Sequence, residues 1–161
     1  CRDLHQTGYH VIGIDLSWGM LAASRSKVPL VQGNALSTPL PDHSLDGVTS
    51  GFALRNLEAL HPFFVEISRI LRSGGRIALL EVDHPTNPVL RFGHNLYFNR
   101  VVPWVGGLFS DRAAYDYLPR SVAYLPDQVE LLTLIADAGF VDVTKYRLSG
   151  GVAQLLTATR R

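Results

Sequence analysis

The chain has 161 residues, 47% of them hydrophobic, with 15 basic against 14 acidic side chains and a formal net charge of +1. That is enough material for one buried core, and it gives no long-range pull on nucleic acid. Its single cysteine, Cys1, excludes an internal disulfide and a cysteine-based metal cluster, as suits the reducing cytosol; the polar start CRDLHQTG reads as no signal peptide.

The first strand is expected over Tyr9 to Asp15, an apolar run that ends on a carboxylate, and Ser17 is placed to cap the helix-like stretch after it. Further strands are expected at Val28 to Gln32, Leu45 to Ser50 and Arg76 to Val82. Between the last two, Leu60, Phe63, Phe64, Ile67, Ile70 and Leu71 recur at three- and four-residue steps, which predicts a helix with one buried face. RSGG, Arg72 to Gly75, is expected to end that helix, with a basic residue in its last turn and glycine as a left-handed cap. Residues 86–125 are rich in aromatics, prolines and glycines, too long for a connection, and read as an inserted lid over the substrate. The most apolar window there, Pro88 to Phe109, is broken by Arg91, His94, Asn95, Asn99 and Arg100, which rules out an ordinary membrane span. PDQVELLTLIADAGF predicts a second helix that starts at Pro126 and Asp127, buries Leu131, Leu134 and Ile135, and stops at Gly139. The runs Val141 to Tyr146 and Val152 to Thr159, separated by only RLSGG, predict an antiparallel hairpin at the sheet's edge. Strands alternating with helices give an α/β fold with a mostly parallel sheet, in one domain spanning 1–161.

Ligands of such sheets bind outside the C-terminal ends of the strands, where three polar groups are expected. Asp15 offers only acceptors, which suits paired ribose hydroxyls; the alternative is a helix cap, for which Ser17 is the better residue. Asn34, at a second strand end, is able to accept from an exocyclic amine and donate to a ring nitrogen, though an asparagine after glycine is also an ordinary turn residue. At the third, SGFALRNL, Gly51 permits close backbone approach and Arg55 and Asn56 follow; the alternative is a helix start with a solvated arginine.

Five segments, GIDLSWGML, GNALSTPLPDHSLDGVTSGFALRN, RILRSGGRIALLEVDHPTNP, DRAAYDYLP and SVAYLPDQVEL, together resemble the ubiquinone/menaquinone C-methyltransferases, which are Rossmann-like class I S-adenosylmethionine enzymes. The resemblance implies that Asp15 binds the ribose hydroxyls, that Leu16 and Met20 line the cofactor site, Met20 as an apolar wall near the adenine, and that Asn34 and Ala35 meet the adenine edge. Gly51 stands where some members carry a serine near the methionine part of the cofactor. Where many members have EFSKP this chain has EVDHP, so Asp83 takes the serine's place and His84 the lysine's. The family's first strand and its glycine-rich turn have no counterpart here, which leads to the expectation that the domain as given is incomplete.

The implied reaction is methylation of a ring carbon of a prenylated quinol, a demethylmenaquinol or a ubiquinol precursor, with S-adenosylmethionine as donor and no metal. Arg55 stays protonated and suits a phenolate-stabilising role; Asn56 suits a water or ring oxygen; His84 has the intrinsic pKa of a base. Glu81 ends its strand beside the same crevice and reads equally well as a buried structural carboxylate. Apolar residues of the 86–125 segment, with Arg91 and Arg100, suit a polyprenyl tail or peripheral contact with the membrane from the cytoplasm. Monomer and homodimer both stay open. The competing readings are a catalytically inactive methyltransferase-like module, a methyltransferase of another small molecule, and a nucleotide dehydrogenase, which gives Arg55 and Asn56 no role.

Overall fold

The computed structural model describes residues 1–83 and 125–161. His84 and the expected lid, apart from Leu125, lie outside the described residues. In chain order come α1 (Arg2–Gln6), β1 (Gly13–Asp15), α2 (Trp18–Ala23), β2 (Leu30–Gln32), β3 (Leu45–Gly51), a 3-10 turn at Leu54–Asn56 and α3 (Leu60–Ile70). Then follow β4 (Leu71–Val82), α4 (Gln128–Asp137), β5 (Phe140–Leu148), a second 3-10 turn at Ser149–Gly151 and β6 (Ala153–Arg160).

The sheet comes in two pieces. β1 and β2 pair in parallel, with Asp15 beside Gln32. A four-stranded sheet has the order β3-β4-β6-β5, with β3 and β4 parallel and β6 antiparallel to both its neighbours. The expected hairpin is there, with β5 at the edge and β6 inside against β4. Among the described residues no strand joins β1 to β3, so each piece keeps one open inner edge. β1 covers only the last three residues of the expected Tyr9 to Asp15 run.

One face of the larger sheet builds the core. Ile77 and Leu79 of β4 lie opposite Ala158 and Leu156 of β6, and they pack against Phe63, Phe64, Ile67 and Ile70 of α3 and Leu131 and Ile135 of α4. Four of these, Phe64, Leu79, Ile135 and Leu156, have no exposed surface, each worth about 1.5–3 kcal/mol of burial. The helical spacing of the sequence therefore meets the alternation of the strands on a single layer boundary. α4 starts as expected, with the Asp127 carboxylate accepting from the Glu130 amide at 2.9 Å, and is followed by Gly139 at φ +94°.

RSGG does not end α3. The helix stops at Ile70, Leu71 is already extended at φ −77° and ψ 136°, and the basic residue in the last turn is Arg69. Leu71 is fully buried and pairs with Leu45, whereas the next matched pair is Gly47 with Arg76, so Arg72 to Gly75 bulge out of β4. Gly74 supplies the left-handed turn of that bulge at φ +76°. A buried strand residue directly after the helix leaves no room for a cap, and the glycines serve the bulge instead. No described helix is long and apolar enough to cross a membrane.

Candidate functional site

Because β1 and β2 run in parallel, their C-terminal ends open on the same side, and Asp15 and the turn after Gln32 are brought together there. Asp15 Oδ1 accepts from the Ser17 amide at 2.8 Å, while Ser17 Oγ accepts from the Met20 amide at 3.3 Å and caps α2. One Asp15 oxygen thus fixes the turn, and nothing described occupies the other. Around it Leu16, Trp18 and Met20 are 64–68% exposed, an uncovered apolar rim beside a carboxylate. Beyond β2, Asn34 Oδ1 accepts from the Leu36 amide at 2.9 Å, which is the turn role given above as the alternative. Ala35, next to it, packs on the core.

On the other piece, β3 ends at Gly51, where an added Cβ would meet no atom within 4 Å. Among the described residues no group demands glycine here, and the space beside it is open. Phe52 follows at φ +57°, a left-handed conformation that costs a non-glycine residue roughly 1–2 kcal/mol. Its amide donates to Leu80 O at 2.8 Å and its carbonyl accepts from Asn56 Nδ2 at 3.3 Å. The Arg55 guanidinium lies 5.7 Å from the Phe52 ring centroid. Glu81, fully buried at the end of β4, accepts from the Arg55 amide at 3.3 Å and from the Val82 amide at 2.8 Å. The carboxylate therefore clamps the backbone under Arg55, while Arg55 Nε is buried with no hydrogen-bond partner among the described residues. A buried unpaired donor beside a crevice is suited to an oxygen ligand.

The loop from Asn34 to Asp42 is anchored by a residue whose importance the sequence alone does not reveal. Glu66 of α3, 8% exposed, accepts from both the amide and the hydroxyl of Thr38 at 2.7 Å. Arg69 donates to both Glu66 oxygens, at 2.9 and 2.7 Å, and also pairs with Asp42. Hydrogen bonding from Arg69 is the largest cause holding the Glu66 carboxyl down at about 2; it outweighs burial, and Thr38 adds to it. The same carboxylate holds Arg69 above its ordinary range. Only the Glu66–Arg69 spacing, three residues along a helix, hinted at this group.

The structure thus gathers Asp15, Leu16, Met20, Asn34 and Ala35 around one sheet piece and Gly51, Arg55, Asn56 and Glu81 at the end of the other. The fold and the sequence both have relatives among known proteins. The fold matches phosphoethanolamine N-methyltransferase 2 of Haemonchus contortus, in complex with S-adenosyl-L-methionine, at a TM-score of 0.69 and 14% identity, over 98% of this chain and 44% of that one. It also matches a putative methyltransferase from an antibiotic biosynthesis pathway of Anabaena variabilis, at a TM-score of 0.67 and 24% identity, over 91% and 52% of the two chains. In sequence, the chain is 41% identical over 157 residues to the demethylmenaquinone methyltransferase of Roseiflexus castenholzii. It is 37% identical over 157 residues to the ubiquinone/menaquinone biosynthesis C-methyltransferase UbiE of Syntrophotalea carbinolica. Both alignments cover 93% of this chain and 66% of the relative, so the chain spans just under two thirds of the length of these proteins. The model of the ubiE/COQ5 methyltransferase family matches residues 2–160, and with that match the chain belongs to the ubiE/COQ5 methyltransferase family.

Proposed function

We propose that the protein methylates a ring carbon of a prenylated quinol with S-adenosylmethionine, and that residues 1–161 form part of its single methyltransferase domain. The observation that carries this reading is Arg55, fixed by Glu81 at the end of β3 with its buried Nε unpartnered among the described residues, beside the open space at Gly51. The relatives named demethylmenaquinone methyltransferase support the quinol ring as the substrate.

The residues present fit the cofactor. Asp15 has an oxygen left that would take ribose hydroxyls, Leu16 and Met20 would offer their exposed apolar surface to the adenosine, Asn34 and Ala35 would meet its adenine edge, and a Cβ-free Gly51 would let the methionine part come close. When bound, the cofactor supplies an electrophilic methyl group. The protein's own task is to align the ring carbon and favour the electron-rich phenolate. Arg55 stabilises the phenolate oxygen through its guanidinium, and Asn56 holds a water or the ring oxygen. His84 receives the hydroxyl proton; once the methyl is on the ring carbon, that carbon's own proton leaves and the oxygen regains one, which restores the aromatic ring. Residues 86–125 would cover the apolar tail and touch the cytoplasmic membrane surface.

The test is methyl transfer from labelled S-adenosylmethionine to demethylmenaquinol in extracted lipid, using the full natural chain. Label in the ring supports the reading; label only on oxygen, or none, overturns it.

A further inference from the structure

The core face of the larger sheet turns polar at its C-terminal end. Ile77 and Leu79 alternate onto it, and Glu81 follows opposite Gln154. On β5, Lys145 lies opposite Leu156 and Arg147 opposite Gln154 on that same face. From there Lys145 Nζ reaches across β6 to within 2.9 Å of Asp83 Oδ2, and both side chains are sequestered, at 8% and 11% exposure. Arg147 Nε stands 3.9 Å from the same oxygen, on a half-exposed side chain. The Asp83 amide donates to Val152 O at 2.9 Å, so both the side chain and the backbone of Asp83 are tied to the hairpin.

Two carboxylates near the end of β4 thus hold opposite neighbours. Glu81 grips the backbone of Arg55 on the β3 side, and Asp83 grips Lys145 on the β5 side. We propose that Lys145 is a positioning residue for the quinol side of the site, acting through Asp83 on the end of β4 and so, by way of Glu81, on Arg55. This rests on the proposed methylation. A buried ion pair adds little net stability but fixes geometry, and losing one partner leaves a charge that must find water or move. Movement at Asp83 carries Glu81, two residues back. Of the cofactor residues, Asp15 and Asn34 sit on or just after the separate β1–β2 piece, which among the described residues shares no strand pairing with β4, and Gly51 alone lies beside β4. The two halves of the site should therefore respond differently.

In the full natural chain, Lys145→Met, Asp83→Asn and the exchanged pair Asp83→Lys with Lys145→Asp are compared with wild type. Calorimetry gives affinity and stoichiometry for S-adenosylhomocysteine, and kcat/KM for demethylmenaquinol is normalised to the binding-competent fraction. Each single variant should lose about tenfold or more in kcat/KM, with cofactor affinity within about twofold of wild type, and the exchanged pair should recover most of the loss. If Lys145→Met does not fold, Lys145→Gln carries the same comparison. Normalised kcat/KM equal to wild type, or cofactor affinity falling in step, would overturn the inference while leaving the methylation reading intact. A wild type that turns over no quinol sinks that reading and this inference with it.

Discussion

Glu66 ties the Asn34-to-Asp42 loop to α3, and its carboxyl sits at about 2 where an ordinary one sits at 4.5. That difference corresponds to roughly 3 kcal/mol of folding stability. The carboxyl is depressed in the folded state, so its contribution is complete above about pH 4.5 and fades as pH falls toward 2. Glu66→Gln keeps an acceptor for Thr38 but sets an amide against Arg69. It should cost about 2–4 kcal/mol at pH 7 and remove this part of the acid sensitivity. Urea unfolding of the full natural chain between pH 7 and 3 measures both, and cofactor affinity should weaken along with the loop. If wild type and Glu66→Gln lose stability in parallel below pH 4.5, the network does not hold the loop as described.

Gly75→Ala would press a Cβ to 2.8 Å from the Arg72 carbonyl and 3.1 Å from a buried Leu71 methyl, and should cost about 1–3 kcal/mol by thermal or urea unfolding. Gly51→Ala, where nothing lies within 4 Å, should leave the melting temperature nearly unchanged yet weaken cofactor binding; a matching stability loss would count against the open space at that strand end. Asp127→Ala removes the cap on α4 and should lower stability by about 1 kcal/mol, with Asp127→Asn restoring most of it.

Elements whose signal is local were legible in the sequence. The apolar stripe of α3, the Asp127 cap of α4 and the short link of the hairpin each depend on neighbours a few positions away, and each appears in the structure. RSGG shows the limit of such signals: glycine marks a left-handed position but does not say whether a cap or a bulge uses it, and the pairing of Leu71 with Leu45 decided that. Asp15 and Asn34 stand at or just past their strand ends, and the amide each accepts from within its own turn shows that part of their polarity serves the backbone. The clamps were out of reach: Glu81 meets Arg55 across 26 positions, Glu66 meets Thr38 across 28, and Lys145 finds Asp83 across a strand. Such partners are set by sheet order and register, which no window of sequence contains.

The central claim is that the C-terminal ends of β1, β2 and β3 form one adenosyl-binding site with Asp15 at its ribose. Calorimetric titration of the full natural chain with S-adenosylmethionine, wild type beside Asp15→Ala, tests it most directly. The account predicts binding by wild type and a loss of about 1.5–3 kcal/mol in the variant; equal affinities, or a wild type that binds NAD in preference, would contradict it.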